Sequence, residues 1–351
     1  MNKVIIYVFL LLWFNTNAQS TFELSHNIYS IKDSLTGIVY GFDSASKTTN
    51  IFDRGYLNYK VTGYQLVTNV SSKMKFIKTV KIKNTISGFN DKKIKGQILM
   101  NQKELSDKSC WNFDILFGNQ FLKNYIISFD NKKSRFEILE ELLQNIDQFN
   151  KLNLTYNMLV DDYFVKLKIN DVEVDFLVDT ASSSGISCND NTILNKTQNT
   201  YIYNTLNAFT IQEQKITEYN LNSISHHDFR IKNDIVHHQS IKNIIGNSFF
   251  LNFENVIFDF KNKAIYLKNE FRQITPYSDD ILFTANSNNQ LEIGFLNTNS
   301  IYYKQGFRLG DIIKFNDKNF ENKILNNPCQ AQFIINEYLK NNHSLPNYSK
   351  G

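Results

Sequence analysis

The chain has 351 residues, 42% of them hydrophobic, which is enough for two or three domains with cores of their own. The net charge is +4, and lysines are mixed with acids along the whole length, so no dense basic block indicates nucleic-acid binding. Only 3 prolines and an aromatic content of 14% favour a β-rich globular protein over a disordered one.

The first segment has the pattern of a secretory signal peptide. Lys3 gives it a positive start, residues 4–14 form an apolar core, and Ala18 offers a small residue for cleavage. We therefore expect residues 1–18 to be removed and the mature protein to be periplasmic or secreted. An uncleaved anchor is the alternative, although this apolar run is short for a membrane span, and no later segment is apolar for long enough.

The next elements include two strands that end on an acidic turn. The stretch GIVYGFDSASKTTNIFD (37–53) aligns with VEVDFLVDTASSSGISCND (172–190), so that Asp43 falls on Asp179. In both stretches alternating apolar residues, typical of a β-strand, lead to the aspartate, and small hydroxyl residues follow it. A single aspartate of this kind would be read as a polar turn residue, but its recurrence favours a functional role.

A second feature recurs in the same order. Residues 114–139 resemble residues 242–267, with Gly118 aligned on Gly246, about seventy positions after each aspartate. Two ordered features that recur together are much less probable by chance than one. We therefore predict two homologous all-β lobes, at residues 22–145 and 150–272.

The segment 275–351 differs from both lobes. It reads as an apolar strand, a serine, a short helix, and a turn that contains Gly306, Gly310 and Asp311. Residues 328–342 follow as an amphipathic helix, after which the chain leaves little room for a final strand. This order resembles part of a PDZ domain, a fold that binds extended peptides at a sheet edge. We expect an incomplete, α+β PDZ-like domain with a peptide-binding turn; an appendage that binds nothing is the alternative.

The two acidic turns and their distal glycines resemble the aspartic peptidases of the retropepsin and pepsin type, including bacterial members with two lobes. The resemblance covers about 250 residues of the chain. It implies two retropepsin-like β-barrel lobes in a bilobal fold, with Asp43 and Asp179 as the catalytic pair in a shared cleft. It also implies that Gly118 and Gly246 let strands cross close to the acidic turns. The partner would be a peptide or protein substrate.

The expected reaction is hydrolysis of peptide bonds by an aspartic endopeptidase. Two carboxylates about 3 Å apart cannot both ionise, so they share one proton. The ionised carboxylate takes a proton from water, which attacks the peptide carbonyl, while the protonated carboxyl donates to the carbonyl oxygen. We expect neither a cofactor nor a metal. Specificity would reside in flaps over the cleft, somewhere in residues 60–95 and 200–225.

Further residues receive supporting roles from the resemblance. Ser44 and Thr180 would hydrogen-bond to the backbone of the opposite lobe and hold the two turns together. Ser46 and Ser182 would each donate to the outer oxygen of a catalytic carboxylate, which favours the ionised form.

Three residues depart from the family pattern. Alanine replaces the usual glycine in both turns, at Ala45 and Ala181, and Lys47 follows Asp43 closely enough to favour its ionisation. These departures support an alternative, a catalytically impaired pseudo-peptidase that binds peptides or partner proteins through the cleft and the PDZ-like domain. A further alternative is a homodimer in which two copies of the second lobe build the site. The sequence does not predict the oligomeric state.

The cysteines and histidines indicate no metal site. Cys110, Cys188 and Cys329 are odd in number and far apart, with no C-x-x-C pair, so at most one disulfide is expected. The histidine pairs at 226–227 and 237–238 lie in polar stretches without metal-ligand spacing, and we expect them to be solvated loop residues.

Overall fold

The structure is a computed structural model, and it describes residues 20–25, 27–68, 74–83, 86, 89, 94–100, 113–194, 197–206, 211–220, 224–227, 229–231, 235–238, 242–271, 281–285, 290–326, 334–335, 337–338 and 348–350. The expected signal peptide (1–18), Cys110 and Cys329 lie outside these ranges, so the expectations for them stay predictions. Within the described ranges, no helix is long and apolar enough to cross a membrane.

The described chain is built mainly from β-strands, and the predicted all-β class is confirmed. Strands form where apolar and polar residues alternate, because successive side chains point to opposite faces of a sheet. The strand Asp162–Ile169 illustrates this alternation. Its core face carries Val165, Leu167 and Ile169, all buried, while Lys166 and Lys168 between them are exposed.

In the first half of the chain, the described residues form ten strands and one short helix. These elements are β1 (Ser20–Ser25), β2 (Ile28–Lys32), β3 (Val39–Asp43), β4 (Thr49–Phe52), β5 (Tyr59–Thr68), β6 (Met74–Ile82), β7 (Lys95–Met100), β8 (Ile115–Gly118), α1 (Asn119–Leu122), β9 (Ile126–Asp130) and β10 (Arg135–Leu139). Strand β3 runs parallel to β8, β4 runs parallel to β7 and antiparallel to β8, and β5 with β6 forms a long hairpin.

The second half repeats this arrangement with twelve strands among its described residues. A 3₁₀ turn (Ile146–Gln148) precedes β11 (Asn150–Asn157), β12 (Asp162–Ile169), β13 (Val172–Asp179), β14 (Ile186–Cys188), a second 3₁₀ turn (Asn191–Ile193), β15 (Thr197–Leu206), β16 (Ile211–Asn220), β17 (Ile224–His226), β18 (Phe229–Ile231), β19 (Ile235–His238), β20 (Ile244–Gly246), α2 (Asn247–Phe250), β21 (Phe253–Asp259) and β22 (Ala264–Glu270). Strand β13 runs parallel to β20, β14 runs parallel to β19 and antiparallel to β20, and β15 with β16 forms a hairpin.

One antiparallel sheet joins the two halves. Its strands lie in the order β1, β10, β9, β21, β22 and β11, so that equivalent strands of the two halves occupy equivalent places. At its centre β9 pairs with β21, with Ser128 opposite Ile257. A buried apolar cluster continues from one half into the other, and the rings of Phe129 and Phe258 meet edge to face at 6.1 Å.

The C-terminal segment has a core of its own and is joined to the second half by strand pairing. Its described elements are β23 (Ile281–Ala285), β24 (Leu291–Asn297), α3 (Ile301–Lys304), β25 (Ile312–Phe315), α4 (Lys318–Leu325) and β26 (Tyr348–Lys350). Strand β24 pairs with β15, the first strand of the second hairpin. The expectation of little room for a final strand was wrong, because three residues suffice for β26 to pair with β25.

One histidine differs from its expected environment. His226 is buried in strand β17, whereas the polar sequence around it predicted a solvated loop. Its Nδ1 lies 2.8 Å from Lys166 O, and its Nε2 accepts a hydrogen bond from Asn153 N at 3.2 Å. Burial lowers the pKa of His226, which fits a neutral imidazole that donates at one nitrogen and accepts at the other.

Candidate active site

The two acidic turns begin at the ends of equivalent strands. Asp43 is the last residue of β3 and pairs in register with Gly118, the last residue of β8. Asp179 is the last residue of β13 and pairs in the same way with Gly246 on β20. The aspartate and glycine that recur in the sequence are therefore neighbours on parallel strands in each half.

Both turns hold their aspartate through backbone amides. Ala45 N donates to Asp43 Oδ1 at 3.2 Å, and Ala181 N donates to Asp179 Oδ1 at 3.1 Å. The alanines that depart from the family pattern therefore support both carboxylates in the same way. The extra methyl group has not opened either turn.

The glycines beside the aspartates leave no room for a side chain. A Cβ atom on Gly118 would lie 2.5 Å from Thr48 O, and one on Gly246 would lie 2.3 Å from Ser184 O. These oxygens belong to the backbone that follows each aspartate, so they cannot move away without distorting the turn. Glycine is required here by the close approach of two backbones.

Four hydrogen bonds join the two turns directly. Ser44 Oγ donates to Val178 O at 2.6 Å, and Thr180 Oγ1 donates to Phe42 O at 2.9 Å. In return, Ser44 N donates to Thr180 Oγ1 at 3.1 Å, and Thr180 N donates to Ser44 Oγ at 3.1 Å. These are the contacts between the halves that the resemblance implied for the two hydroxyl residues. Because both side chains are buried, the bonds fix the acidic turns side by side.

A second reciprocal pair of bonds surrounds the first. Asn119 Nδ2, on α1 of the first half, donates to Asp161 O of the second half at 2.6 Å. Asn247 Nδ2, on α2 of the second half, donates to Asn27 O of the first half at 2.6 Å. Asn27 and Asp161 both adopt left-handed backbone angles, with φ of 61° and 63°. Each half therefore donates one of these bonds to the equivalent residue of the other half, as an approximate two-fold axis between the halves requires.

The roles expected for Ser46 and Ser182 were wrong. Ser46 Oγ donates to Thr48 O at 2.8 Å, and Ser182 Oγ shares a hydrogen bond with Ser184 Oγ at 2.7 Å. Neither hydroxyl donates to an aspartate carboxylate, because each is occupied within its own turn. In the first half the side-chain donor to the carboxylate is Asn50, whose Nδ2 lies 3.0 Å from Asp43 Oδ2.

The two carboxyl groups lie in a site that disfavours negative charge. Burial raises the pKa of Asp43 to about 8, and the adjacent charge of Asp179 contributes to the increase, while the Ala45 amide and Asn50 oppose it. Burial also raises the pKa of Asp179 to about 6, against the opposing effect of the Ala181 amide. Such a pair holds one proton between them over a range of pH that includes neutrality.

Comparison with known protein families gives no match, and no curated protein matches. Solved structures similar to this chain include basic 7S globulin from soybean, with 10% identity over 72% of this chain and 94% of that one, at a TM-score of 0.40. Conglutin gamma, a basic 7S globulin from lupine seeds, has 9% identity with the same coverages and a TM-score of 0.40. A retropepsin-like aspartic protease from Rickettsia conorii has 21% identity over 34% of this chain and 90% of that one, at a TM-score of 0.25. Similarity this distant gives no information on the activity of this chain.

Two charged residues near the site were missed in the sequence. Asp162 is buried at the start of β12, and its charge raises the pKa of both Asp43 and Asp179. The charge of Lys242 has the opposite effect on Asp179 and on Asp162. Asp162 could have been noticed by extending the alignment of the two halves back to the turns before β2 and β12. There Asp162 aligns with Ile28, so an acidic residue stands where the first half has an apolar one.

The lysine expected to disturb the pair has a different partner. Lys47 Nζ lies 3.4 Å from Asp161 Oδ2, and the lysine side chain remains 54% exposed. Its charge is paired with Asp161, a residue of the second half. The effect of Lys47 on the ionisation of Asp43 stays a prediction.

A hairpin of each half falls in the range where a flap was expected. The β5–β6 hairpin lies within residues 60–95 apart from its first residue, and β15–β16 covers most of 200–225. The hairpins differ at their edges. Strand β15 also pairs with β24 of the C-terminal segment, whereas the described part of β5 pairs with β6.

The C-terminal turn predicted around Gly306, Gly310 and Asp311 is well formed. Gly306 and Gly310 have φ of 90° and 80°, a region that favours glycine. Gly310 N donates to Ile293 O at 2.8 Å, which ties the turn to β24, and Arg308 N donates to Asp311 Oδ2 at 2.7 Å. The backbone angles of the two glycines and these two bonds give the three predicted residues a structural role. Their part in peptide binding stays a prediction.

Proposed function

We propose that the chain is an aspartic endopeptidase that hydrolyses peptide bonds with a water activated between Asp43 and Asp179. The observation that carries this proposal is the set of four hydrogen bonds between the residues that follow the two aspartates. A protein gains little from crowding two carboxylates into one buried site, since each disfavours the charge of the other. Shared protonation of this kind suits acid–base chemistry.

The surroundings of the two carboxyls suggest how the roles divide. Burial and the adjacent charge of Asp179 both raise the pKa of Asp43, so Asp43 holds the shared proton in this proposal, while Asp179 is ionised and accepts a proton from water. The water oxygen bonds to the peptide carbonyl carbon as Asp43 donates its proton to the carbonyl oxygen. Asp179 then passes its new proton to the amide nitrogen, and the carbon–nitrogen bond breaks. Asp43 recovers a proton from the hydroxyl group of the intermediate, which leaves a carboxylic acid and an amine.

A cleavage assay with matched variants tests this proposal. The purified protein, Asp43→Asn and Asp179→Asn are each incubated with a peptide library from pH 3 to 8, and the products are identified by mass spectrometry. Asp175→Asn serves as the control, because Asp175 is exposed on the same strand as Asp179. We expect cleavage by the protein and the control, and loss of turnover by at least about 10³-fold in both site variants.

Other outcomes would select the alternatives. Cleavage that survives in Asp43→Asn but not in Asp179→Asn would favour a site built from two copies of the second half. A folded protein that cleaves no peptide at any pH would favour binding without hydrolysis. Two features suggested an inactive protein, the alanines and Lys47. The active reading is supported by the alanine amides, which donate to both aspartates, and by Lys47, which pairs with Asp161.

Export is a further part of the proposal and rests on the sequence of residues 1–18. A protein that is processed as proposed would begin at Gln19 in the periplasmic or extracellular fraction. Detection of the intact N-terminus in a membrane fraction would instead support an uncleaved anchor.

A further inference from the structure

A chain of buried amide side chains leads from the first hairpin to Asp43. Asn50 Nδ2 donates to Asp43 Oδ2 at 3.0 Å, and Gln97 Nε2 donates to Asn50 Oδ1 at 2.8 Å. Gln65, on β5 of the hairpin, donates in turn to Gln97 Oε1. Asn50 and Gln97 are both buried, and Gln65 is half-buried. Four residues on β3, β4, β5 and β7 are therefore connected through three consecutive bonds.

The carboxylate end fixes the direction of this chain. Asp43 Oδ2 accepts a hydrogen bond from the Asn50 amide nitrogen, so the Asn50 oxygen is left to accept from Gln97. The same requirement orients Gln97 towards Gln65. Hydrogen bonds aligned in one direction polarise one another, and their effect is larger at low local dielectric.

The second half has no equivalent connection in its described residues. Asn50 pairs in register with Leu116, two residues before Gly118, and Ser187 pairs with Ile244, two residues before Gly246. Ser187 therefore occupies the position of Asn50. Its hydroxyl is buried and makes no hydrogen bond within the described structure, and Asp179 takes its donors from the backbone of its own turn.

We propose that Asn50 is a positioning residue for Asp43, and that Gln97 and Gln65 connect its orientation to the β5–β6 hairpin. This inference rests on the proposed function for its kinetic consequences. Asn50 gives one carboxyl of the pair a side-chain donor, while the other takes its donors from the backbone of its own turn. The two halves, although similar in fold, thus provide chemically unequal aspartates. A movement of the β5–β6 hairpin would change the hydrogen bonding of Asp43 through Gln97 and Asn50, while Asp179 has no such connection among the described residues.

The test compares Asn50→Ser, which introduces the residue found at the matching position of the second half, with Ser187→Ala as the control. Losing the amide donor disfavours the ionised form of Asp43, whose other charged neighbours are Asp179 and Asp162. We expect kcat to fall about tenfold with a smaller change in KM, and the basic limb of the pH profile to move up by about one unit. Gln97→Leu should act in the same direction with a smaller effect, and Ser187→Ala should match the wild type.

A second readout separates this inference from the proposed function. Carbon-13 NMR of labelled aspartate carboxyl groups follows the titration of Asp43 without substrate, with Asp43→Asn providing the assignment. If the wild type cleaves nothing, an upward shift of this titration in Asn50→Ser would still support the positioning role. An unchanged titration and unchanged kinetics in Asn50→Ser, or an equal effect of Ser187→Ala, would overturn it. Should Asn50→Ser fail to fold, Gln65→Leu at the half-buried end decides the question through the same titration: a small upward shift supports the inference, and none refutes it.

Discussion

Replacing Thr180 with valine keeps the shape of the side chain but removes a hydroxyl that joins the two acidic turns. The variant loses the bond to Phe42 O at 2.9 Å and the bond from Ser44 N at 3.1 Å. Both backbone groups are then left buried without this partner, and each such group costs about 1–3 kcal/mol. Because the turns can relax in part, we expect the free energy of unfolding to fall by about 3 kcal/mol.

Urea unfolding at equilibrium measures this loss. With a slope of about 3 kcal/mol per M, the midpoint should fall by about 1 M. Thr155→Val is the matched control, because that exposed hydroxyl makes one long contact, 3.4 Å to Phe164 O; its stability should stay within about 0.5 kcal/mol of the wild type. Equal midpoints for Thr180→Val and Thr155→Val would refute the reasoning that this hydroxyl joins the two halves.

A double variant tests whether the two hydroxyls act together. Ser44→Ala removes the donor to Val178 O and the acceptor of Thr180 N. If the four bonds form one unit, loss of either side chain loosens the other, so the double variant should lose less stability than the sum of the singles. We expect this difference to be at least about 0.5 kcal/mol. Strict additivity would mean that the two side chains contribute independently.

Two further predictions concern the glycines and the acid pair. Gly246→Ala places a Cβ 2.3 Å from Ser184 O and should lower the free energy of unfolding by about 3 kcal/mol in a thermal or urea experiment, whereas Gly63→Ala, with its nearest contact at 3.4 Å, should change it by less than about 0.5 kcal/mol. A tolerated Gly246→Ala would contradict the close backbone approach. The pKa of Asp43 is raised to about 8, so the folded state holds this proton more tightly than the unfolded state, and the resulting stability is lost as the pH rises towards 8. Between pH 5 and 8 the free energy of unfolding should therefore fall less in Asp43→Asn than in the exposed control Asp175→Asn, as measured by urea unfolding at successive pH values. Parallel curves of the two variants against pH would contradict a raised pKa.

Local patterns explain why the ends of the central strands could be predicted. Alternating apolar residues indicate a strand wherever one face is buried, and this signal stops at Asp43 and at Asp179. The two glycines could be singled out because the order of an aspartate and a glycine about seventy positions later occurs twice. A helix at Lys318–Leu325 was missed although Asp317 gives a local sign of it, since its side chain accepts hydrogen bonds from Asn319 N and Phe320 N.

Contacts between distant strands explain what could not be predicted. Ser46 and Ser182 have the same sequence context as serines that bond to a carboxylate, yet nearby backbone and hydroxyl groups compete for them. Lys47 is close to Asp43 in sequence, but a hairpin of the other half brings Asp161 within its reach. Neither outcome follows from spacing along the chain, because both depend on which groups the fold places nearby.

The sequence by itself determined the repeated β architecture and the four positions, two aspartates and two glycines, at which the halves converge, because periodicity and duplication are properties of the chain order. Only the tertiary structure decided how these positions are held. The four bonds between Ser44 and Thr180 and their opposite backbones join residues more than 130 positions apart. The amide chain that ends on Asp43 draws its members from separate strands. Such side chains meet only after the sheets have formed, since hydrogen-bond partners in a folded core are selected by proximity in space.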